Sequence, residues 1–377
     1  MTSTPARPLA YAPQMDGLRT IAVAAVAWSH WAPMRQFGLP WSSGVHLFFV
    51  ISGYLITAIL VRARNEDNRA RSLRAFYVRR VLRIFPAFYV TLALAAALNV
   101  PTVRDTWLWH AAYLSNVQIY DAAFRTPVSH FWSLAVEEQF YLLWPWFIVF
   151  APRRYLVPGC LVAIAAAPLA RLVTRGFGLS ELALVLPIGS FDSLGVGALI
   201  ALVEARATPA SWTRQGLIRV LTLVGVPLWL GGIALTVSGR ELPLVAWAGF
   251  GLVQALAFGA LVGRSAIGMG GIIGQLLESR VMVSLGRISY GMYLVHVFAP
   301  SITRAGLTAL GIEPLSLRAW AIQPLFAGVT IGLAAAMWVL IEGPLNRLKR
   351  HFPYHQRAWR IPTPTSSPRP RPESRSI

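Results

Sequence analysis

The sequence predicts an all-α polytopic membrane protein, a bundle of about ten transmembrane helices. Three observations predict it. Apolar residues make up 55% of the 377 residues and charged residues 13%, against about 45–50% and 25% in soluble chains. The apolar excess recurs in runs of about twenty residues, the length that crosses a bilayer as a helix. Basic residues concentrate in alternate connections between those runs, as loops retained on the cytoplasmic side do. Such a chain is not a disordered protein, a small disulfide scaffold or an ordinary cytosolic enzyme.

The runs lie at about 18–33, 44–62, 80–99, 138–152, 155–170, 183–203, 216–237, 242–263, 284–303 and 321–341. The first contains Ala-x-Ala at 22–24 and 25–27. Both lie inside the apolar run rather than after it, so the run reads as an uncleaved helix. With the N-terminus cytoplasmic, 26 basic residues fall on the inner side and 8 on the outer. The bias predicts a multi-pass protein of the cell inner (plasma) membrane with both termini cytoplasmic. The net charge of +19 then follows from topology and from attraction to anionic lipid heads, and a nucleic-acid partner is not implied. The sequence divides into a cytoplasmic arm (1–14), a transmembrane domain (15–346) and a basic, Pro-rich tail (347–377) that reads as disordered. The single cysteine, Cys160, excludes an internal disulfide and reads as a packing residue. Lys349 is the one lysine among 34 basic residues.

Polar groups at membrane depth cost about 2.5–3.5 kcal/mol each on insertion scales, so they are where chemistry is sought. Asp16 and Arg19 open the first run, and His30 closes it beside Trp28 and Trp31. At 1.5 Å per residue His30 lies about 16 Å beyond Arg19 and about 21 Å beyond Asp16. Asp16 therefore cannot orient that imidazole along a straight helix. His46 enters the second run, where Ser52-Gly53 permits close helix packing. Arg80 and Arg83 share one helix face at an inner end, and guanidinium forks suit phosphate oxygens. Trp132 and Ser133 precede the adjacent carboxylates Glu137 and Glu138. Neighbouring residues diverge by about 100° on a helix, so one of the two at most is expected to face any given site. Such a carboxylate can hold an imidazole in one tautomer. Tyr293 and His296 share a face, and Asp192 is a lone acid in another span. Glu342 reads as the end of the last helix. No cluster has the spacing of a zinc site, and neither a Gly-rich phosphate loop nor a Gly-x-Ser-x-Gly elbow occurs.

Five stretches resemble, in family order, the acyltransferase-3 family of integral-membrane O-acyltransferases. They are MDGLRTIAVAAVAWSH at 15–30, GVHLFFVISGYLIT at 44–57, FYVRRVLRIFPAFYV at 76–90, FWSLAVEEQFYLLWP at 131–145 and LGRISYGMYLVH at 285–296. The resemblance spans about residues 12–345. It implies helices around a central cavity and transfer of an acyl group, usually acetyl, from cytoplasmic acyl-CoA to a sugar hydroxyl. No cofactor is bound permanently on this reading, since acyl-CoA is a substrate. His30 falls on the family's catalytic histidine. Arg80 and Arg83 fall on its Arg-x-x-Arg pair and, with Arg19, become the acyl-CoA-binding residues. Glu137 or Glu138 would orient His30, which acts as general base. Asp16, His46, Ser52, Trp132, Ser133, Asp192, Tyr293 and His296 are candidates to line the site. His46 departs from the family, where many members have Asp. The implied acceptor carries carbohydrate, either a cell-surface glycan or a glycosylated natural product such as a macrolide, and no oligomeric state follows. Two rival readings stay open: a transporter or flippase for an acylated or glycosylated lipid, and a non-catalytic scaffold for polysaccharide assembly.

Overall fold

The apolar runs fold as helices, with no strand among the described residues of the computed structural model, which are 12–31, 43–66, 68–122, 126–206, 212–240, 242–314 and 318–354. The first helices are α1 (Pro13–Trp31), α2 (Gly44–Ala63) and α3 (Arg69–Ala97). The side chain of Asn68 caps α3 by accepting from the Arg71 N–H at 2.9 Å. At 29 residues α3 is about 44 Å long, well beyond the roughly 30 Å of a hydrocarbon core. Its arginine-bearing first turns therefore project past the apolar layer.

Two short helices, α4 (Val103–Ala111) and α5 (Ser115–Asp121), bridge to α6 (Phe131–Phe150). α4 packs on α3 and α5 on α6. Tyr113 stacks on Phe88 with ring centroids 4.6 Å apart. His110 is buried between Thr106 and Ser115, and burial holds its imidazole down at about 4.

The chain continues through α7 (Arg153–Gly176), α8 (Ser180–Val185), a 3-10 turn (Pro187–Ser190), α9 (Phe191–Arg206) and α10 (Trp212–Val220). A π-helical turn (Leu221–Gly225) joins α10 to α11 (Val226–Val237), and α12 (Leu244–Ile267) and α13 (Gly271–Glu278) follow. The core forms where α2, α9, α12 and α1 meet. At the α2–α9 crossing a Cβ on Gly53 would lie 1.9 Å from the Leu194 carbonyl oxygen, and one on Gly197 would lie 2.1 Å from that of Val50. Only glycine permits this backbone contact, so the packing reading of Gly53 holds.

Among the described residues, seven helices are long and apolar enough to cross a membrane, and they match seven of the expected runs. Three expected runs depart from that pattern of length and apolarity, so the count of about ten is not confirmed. Residues 18–31 of the first run lie in α1 and 138–150 of another in α6, helices whose polar side chains, among them Asp16, Arg19, Glu137 and Glu138, reduce their apolarity. The run at 284–303 breaks into α14 (Arg280–Arg287), α15 (Ser289–Val295) and α16 (Ala299–Ala309). Pro300, in the first turn of α16, has no N–H to continue the preceding helix.

The chain ends in α17 (Ala319–Met337), a π-helical turn (Trp338–Glu342), α18 (Gly343–Leu348) and a 3-10 turn (Lys349–His351). The described structure thus continues to 354, past 347 where the tail was expected to begin, and the rest of that tail, like residues 1–11 of the expected arm, lies outside the described residues. Arg79 Nη1 of α3 donates to the Lys349 carbonyl at 2.8 Å and to that of Phe352 at 3.2 Å, fastening this terminal strap.

Candidate active site

Helices α1, α2, α3, α6 and α15 enclose a cavity of about 790 Å³ that is partly open to its surroundings. One part is lined by Arg19, Arg80, Arg83, Glu137 and Glu138, and another by Val45, Phe48, Phe49 and Leu134. Both carboxylates face it, against the expectation that one would. The cavity is broad enough to meet two directions of α6 that differ by about 100°. Ser52 Oγ donates to Glu137 Oε1 at 2.7 Å. The Arg80 guanidinium lies 3.6 Å from the centroid of the Tyr141 ring, and its Nε is buried without a hydrogen-bond partner. Arg19 is held by Asp16 at 3.0 Å, so Asp16 positions a lining residue rather than lining the cavity itself. Tyr290 enters the lining with its hydroxyl donating to the Ile84 carbonyl at 3.0 Å.

The histidines form a second compartment. His30, at the exposed end of α1, lies 4.9 Å from His296 between ring centroids and 6.3 Å from His130. His130 and His296 are also 4.9 Å apart. The sequence reading missed His130, which stands immediately before the motif that opens at Phe131. It is 2% exposed, and neither ring nitrogen has a hydrogen-bond partner. Among the described residues, no group of three His, Cys, Asp or Glu side chains is arranged to hold a metal ion.

Hydrogen bonds fix the direction of proton donation through this compartment. His296 Nδ1 is 2.7 Å from the Tyr293 carbonyl, to which it donates, leaving Nε2 as an acceptor. His30 Nδ1 is 2.9 Å from the Val26 carbonyl and 3.3 Å from His296 Nε2. It carries its proton toward both, which leaves His30 Nε2 with a free lone pair. Neither glutamate is among the hydrogen-bond partners of the His30 ring. The orienting role expected of Glu137 or Glu138 falls instead to Val26 and His296, because α6 directs its acids into the arginine cavity.

Tyr293 and Ser133 stand between the two compartments. Their hydroxyls are 2.5 Å apart, both residues line the cavity, and the Tyr293 hydroxyl also donates to the His130 carbonyl at 3.0 Å. The Tyr293 ring lies 5.5 Å from that of His130 and 5.6 Å from that of His296. Trp132 packs edge-on against Phe49, outside the lining.

His46 and Asp192 belong elsewhere. Asp192 is fully buried and paired with Arg171 at 2.7 Å. Arg171 Nη1 also donates to the Ala248 carbonyl at 3.0 Å and Nη2 to that of Gly189. Asp192 accepts from the Ser193 N–H at 2.7 Å, and Ser193 Oγ meets His46 Nδ1 at 2.9 Å. This knot ties α2, α7, α9 and α12 together and does not line the cavity. Their expected place in the lining fails for that reason.

A family model described as an acyltransferase domain, that of the acyltransferase-3 family, matches residues 13–341. The chain belongs to the acyltransferase-3 family. It is 28% identical over 365 residues to the peptidoglycan O-acetyltransferase OatA of Listeria monocytogenes, covering 89% of this chain and 56% of that protein. It is 33% identical over 219 residues to a Bacillus subtilis protein named "Putative peptidoglycan O-acetyltransferase YrhL", covering 51% of this chain and 33% of that one. The chain thus spans about half or less of the length of these relatives. No solved structure matches it.

Proposed function

We propose that this member of the acyltransferase-3 family transfers an acyl group, acetyl first, from cytoplasmic acyl-CoA to a hydroxyl of a carbohydrate-containing acceptor. The observation that carries the reading is the adjacency of an arginine-lined cavity and a histidine with a free, oriented lone pair, separated by one Ser–Tyr pair. Arginine forks at the inner end suit the donor's phosphates. The apolar lining suits its pantetheine arm and acyl group. The proton of the attacking hydroxyl passes to His30 Nε2 as the oxygen bonds to the thioester carbon. The C–S bond then breaks, and the proton is returned to the thiolate, giving an ester and free CoA. Acceptors named for the relatives favour a cell-surface glycan such as peptidoglycan, and a glycosylated natural product such as a macrolide remains within the same chemistry. The reading places both termini in the cytoplasm.

The test is thermal stabilisation of the detergent-purified protein by acetyl-CoA, beside the Arg80→Ala/Arg83→Ala double variant. Donor at 100 times its dissociation constant should stabilise the fold by about 2.7 kcal/mol, and the double variant should lose this. His30→Ala should keep the stabilisation and lose transfer by about 10²–10⁴-fold. Absence of a shift with acetyl-, propionyl- and longer acyl-CoA would sink the donor assignment and favour a transporter of glycosylated lipid.

A further inference from the structure

The charge of the cavity is too small for the donor just proposed. Arg19, Arg80 and Arg83 contribute three positive charges, Glu137 and Glu138 oppose two of them, and Asp16 is paired with Arg19. An acyl-CoA carries a diphosphate and a 3′-phosphate, about four negative charges at neutral pH. More cation is needed where the phosphates leave the cavity, and the strap that follows α17 supplies it.

The helical run from Ala321 through His351 is 31 residues, about 46 Å, so its last turns stand beyond a hydrocarbon core of roughly 30 Å. There the strap lies across the arginine face of α3. Arg79 donates to two of its carbonyls, and the Arg79 guanidinium sits 4.7 Å from the Tyr354 ring centroid. The Lys349 ammonium, hydrogen-bonded to Asn346, stands in the field of Arg83, Arg79 and Arg80. One acid on this strap, Glu342, shares that field, and its Oε1 is buried without a hydrogen-bond partner. Lys349 thus stands among three arginines and one carboxylate, and that carboxylate faces Arg83 and Lys349. Such a group is held against its own repulsion and is stabilised by a polyvalent anion.

We infer that the strap forms the outer wall of the donor's phosphate site, with Lys349 binding a phosphate of the nucleotide end while Arg80 and Arg83 bind nearer the cavity. The inference rests on the acyl-CoA reading and adds a binding residue outside the family motifs found in the sequence.

Because Lys349 is the only lysine, its ammonium can be footprinted alone. The full chain in detergent is treated with the N-hydroxysuccinimide ester of acetic acid, and acylation of Lys349 is followed by peptide mass spectrometry. The chain's α-amino group serves as reference. CoA should slow Lys349 acylation several-fold and leave the reference unchanged, whereas pantetheine, which lacks the nucleotide, should not protect. Lys349→Ala should weaken CoA binding by about tenfold, and Lys349→Arg should restore most of it, since either cation can bind phosphate. Thermal stabilisation by CoA with Lys349 acylated at an unchanged rate would overturn the strap assignment and leave the donor cavity standing. No stabilisation and no protection would overturn the acyl-CoA reading and this inference with it.

Discussion

Two groups of buried polar side chains lie among these helices, and they are finished to different degrees. In the knot of Arg171, Asp192, Ser193 and His46, the buried charges are paired and further tied to two carbonyls and a backbone N–H. In the other group, spread over the cavity, the histidine compartment and the strap, Arg80 Nε, both nitrogens of His130 and Glu342 Oε1 have no hydrogen-bond partner. Buried polar groups in folded proteins are paired in the great majority, so an open set calls for an explanation. The knot is complete within the chain and serves to hold four helices. The other set leaves polar capacity for something that binds. Polarity at membrane depth marks both equally in sequence, and only satisfaction separates them.

That contrast is sharpened by breaking each side in turn. Removing one partner of the knot should have the largest effect. Asp192→Ala strands a buried guanidinium and should cost about 3–5 kcal/mol, read as a loss of thermal stability in detergent without ligand. Replacing both charges with apolar residues, Arg171→Met with Asp192→Leu, should recover most of that loss. If the double variant is no better than the single, the pair is not the self-contained unit described above.

On the open side, Arg80→Ala should leave unliganded stability almost unchanged and weaken acyl-CoA binding by about tenfold or more, the worth of a charge-assisted hydrogen bond. Binding titration beside thermal unfolding separates the two. An Arg80→Ala protein that is destabilised as much as Asp192→Ala would erase the distinction.

Tyr293→Phe removes one hydroxyl from the boundary between the compartments. Stability should fall by about 0.5–1.5 kcal/mol, and the transfer rate by about tenfold at unchanged donor affinity. Equal transfer by this variant and wild type would remove the Ser133–Tyr293 pair from the reaction path.

The smallest effect belongs to His110, outside both clusters. Its folded imidazole is held at about 4 by burial, below the ordinary value of 6.5. The unfolded chain takes up the proton first, so this contribution to stability is present above pH 6.5 and is lost as pH falls toward 4. His110→Asn should flatten the fall in melting temperature between those limits. An unchanged slope would exclude His110 as its source.

The helical class, the family and the five motif segments were legible in the sequence, because runs of apolar residues and ordered motifs are local patterns. The expected runs that do not fold as long apolar helices are instructive. The runs in α1, in α6 and across α14–α16 carry His30, Glu137, Glu138, Tyr293 and His296. The polar groups or helix breaks that build the site are what make those segments poor membrane spans. What one dimension could not reveal was partnership. Spacing showed that Asp16 is too far along α1 to reach His30, but nothing in spacing shows that His296 approaches it from 266 residues away. Likewise, a motif window that opened at Phe131 missed His130 by a single position.

The glycine contact between α2 and α9 bears on how the cavity opens. With Gly53 and Gly197 each seated on the opposing backbone, neither helix can slide without a main-chain collision. The α2 side of the cavity is therefore an anvil. On the opposite side Ser133 of α6 and Tyr293 of α15 hydrogen-bond to each other, α6 meets α2 through Glu137 and Ser52, and the chain after α15 breaks before α16. Parting the Ser133–Tyr293 pair is then a movement of α6 and α15 relative to each other, for which α2 is the fixed reference.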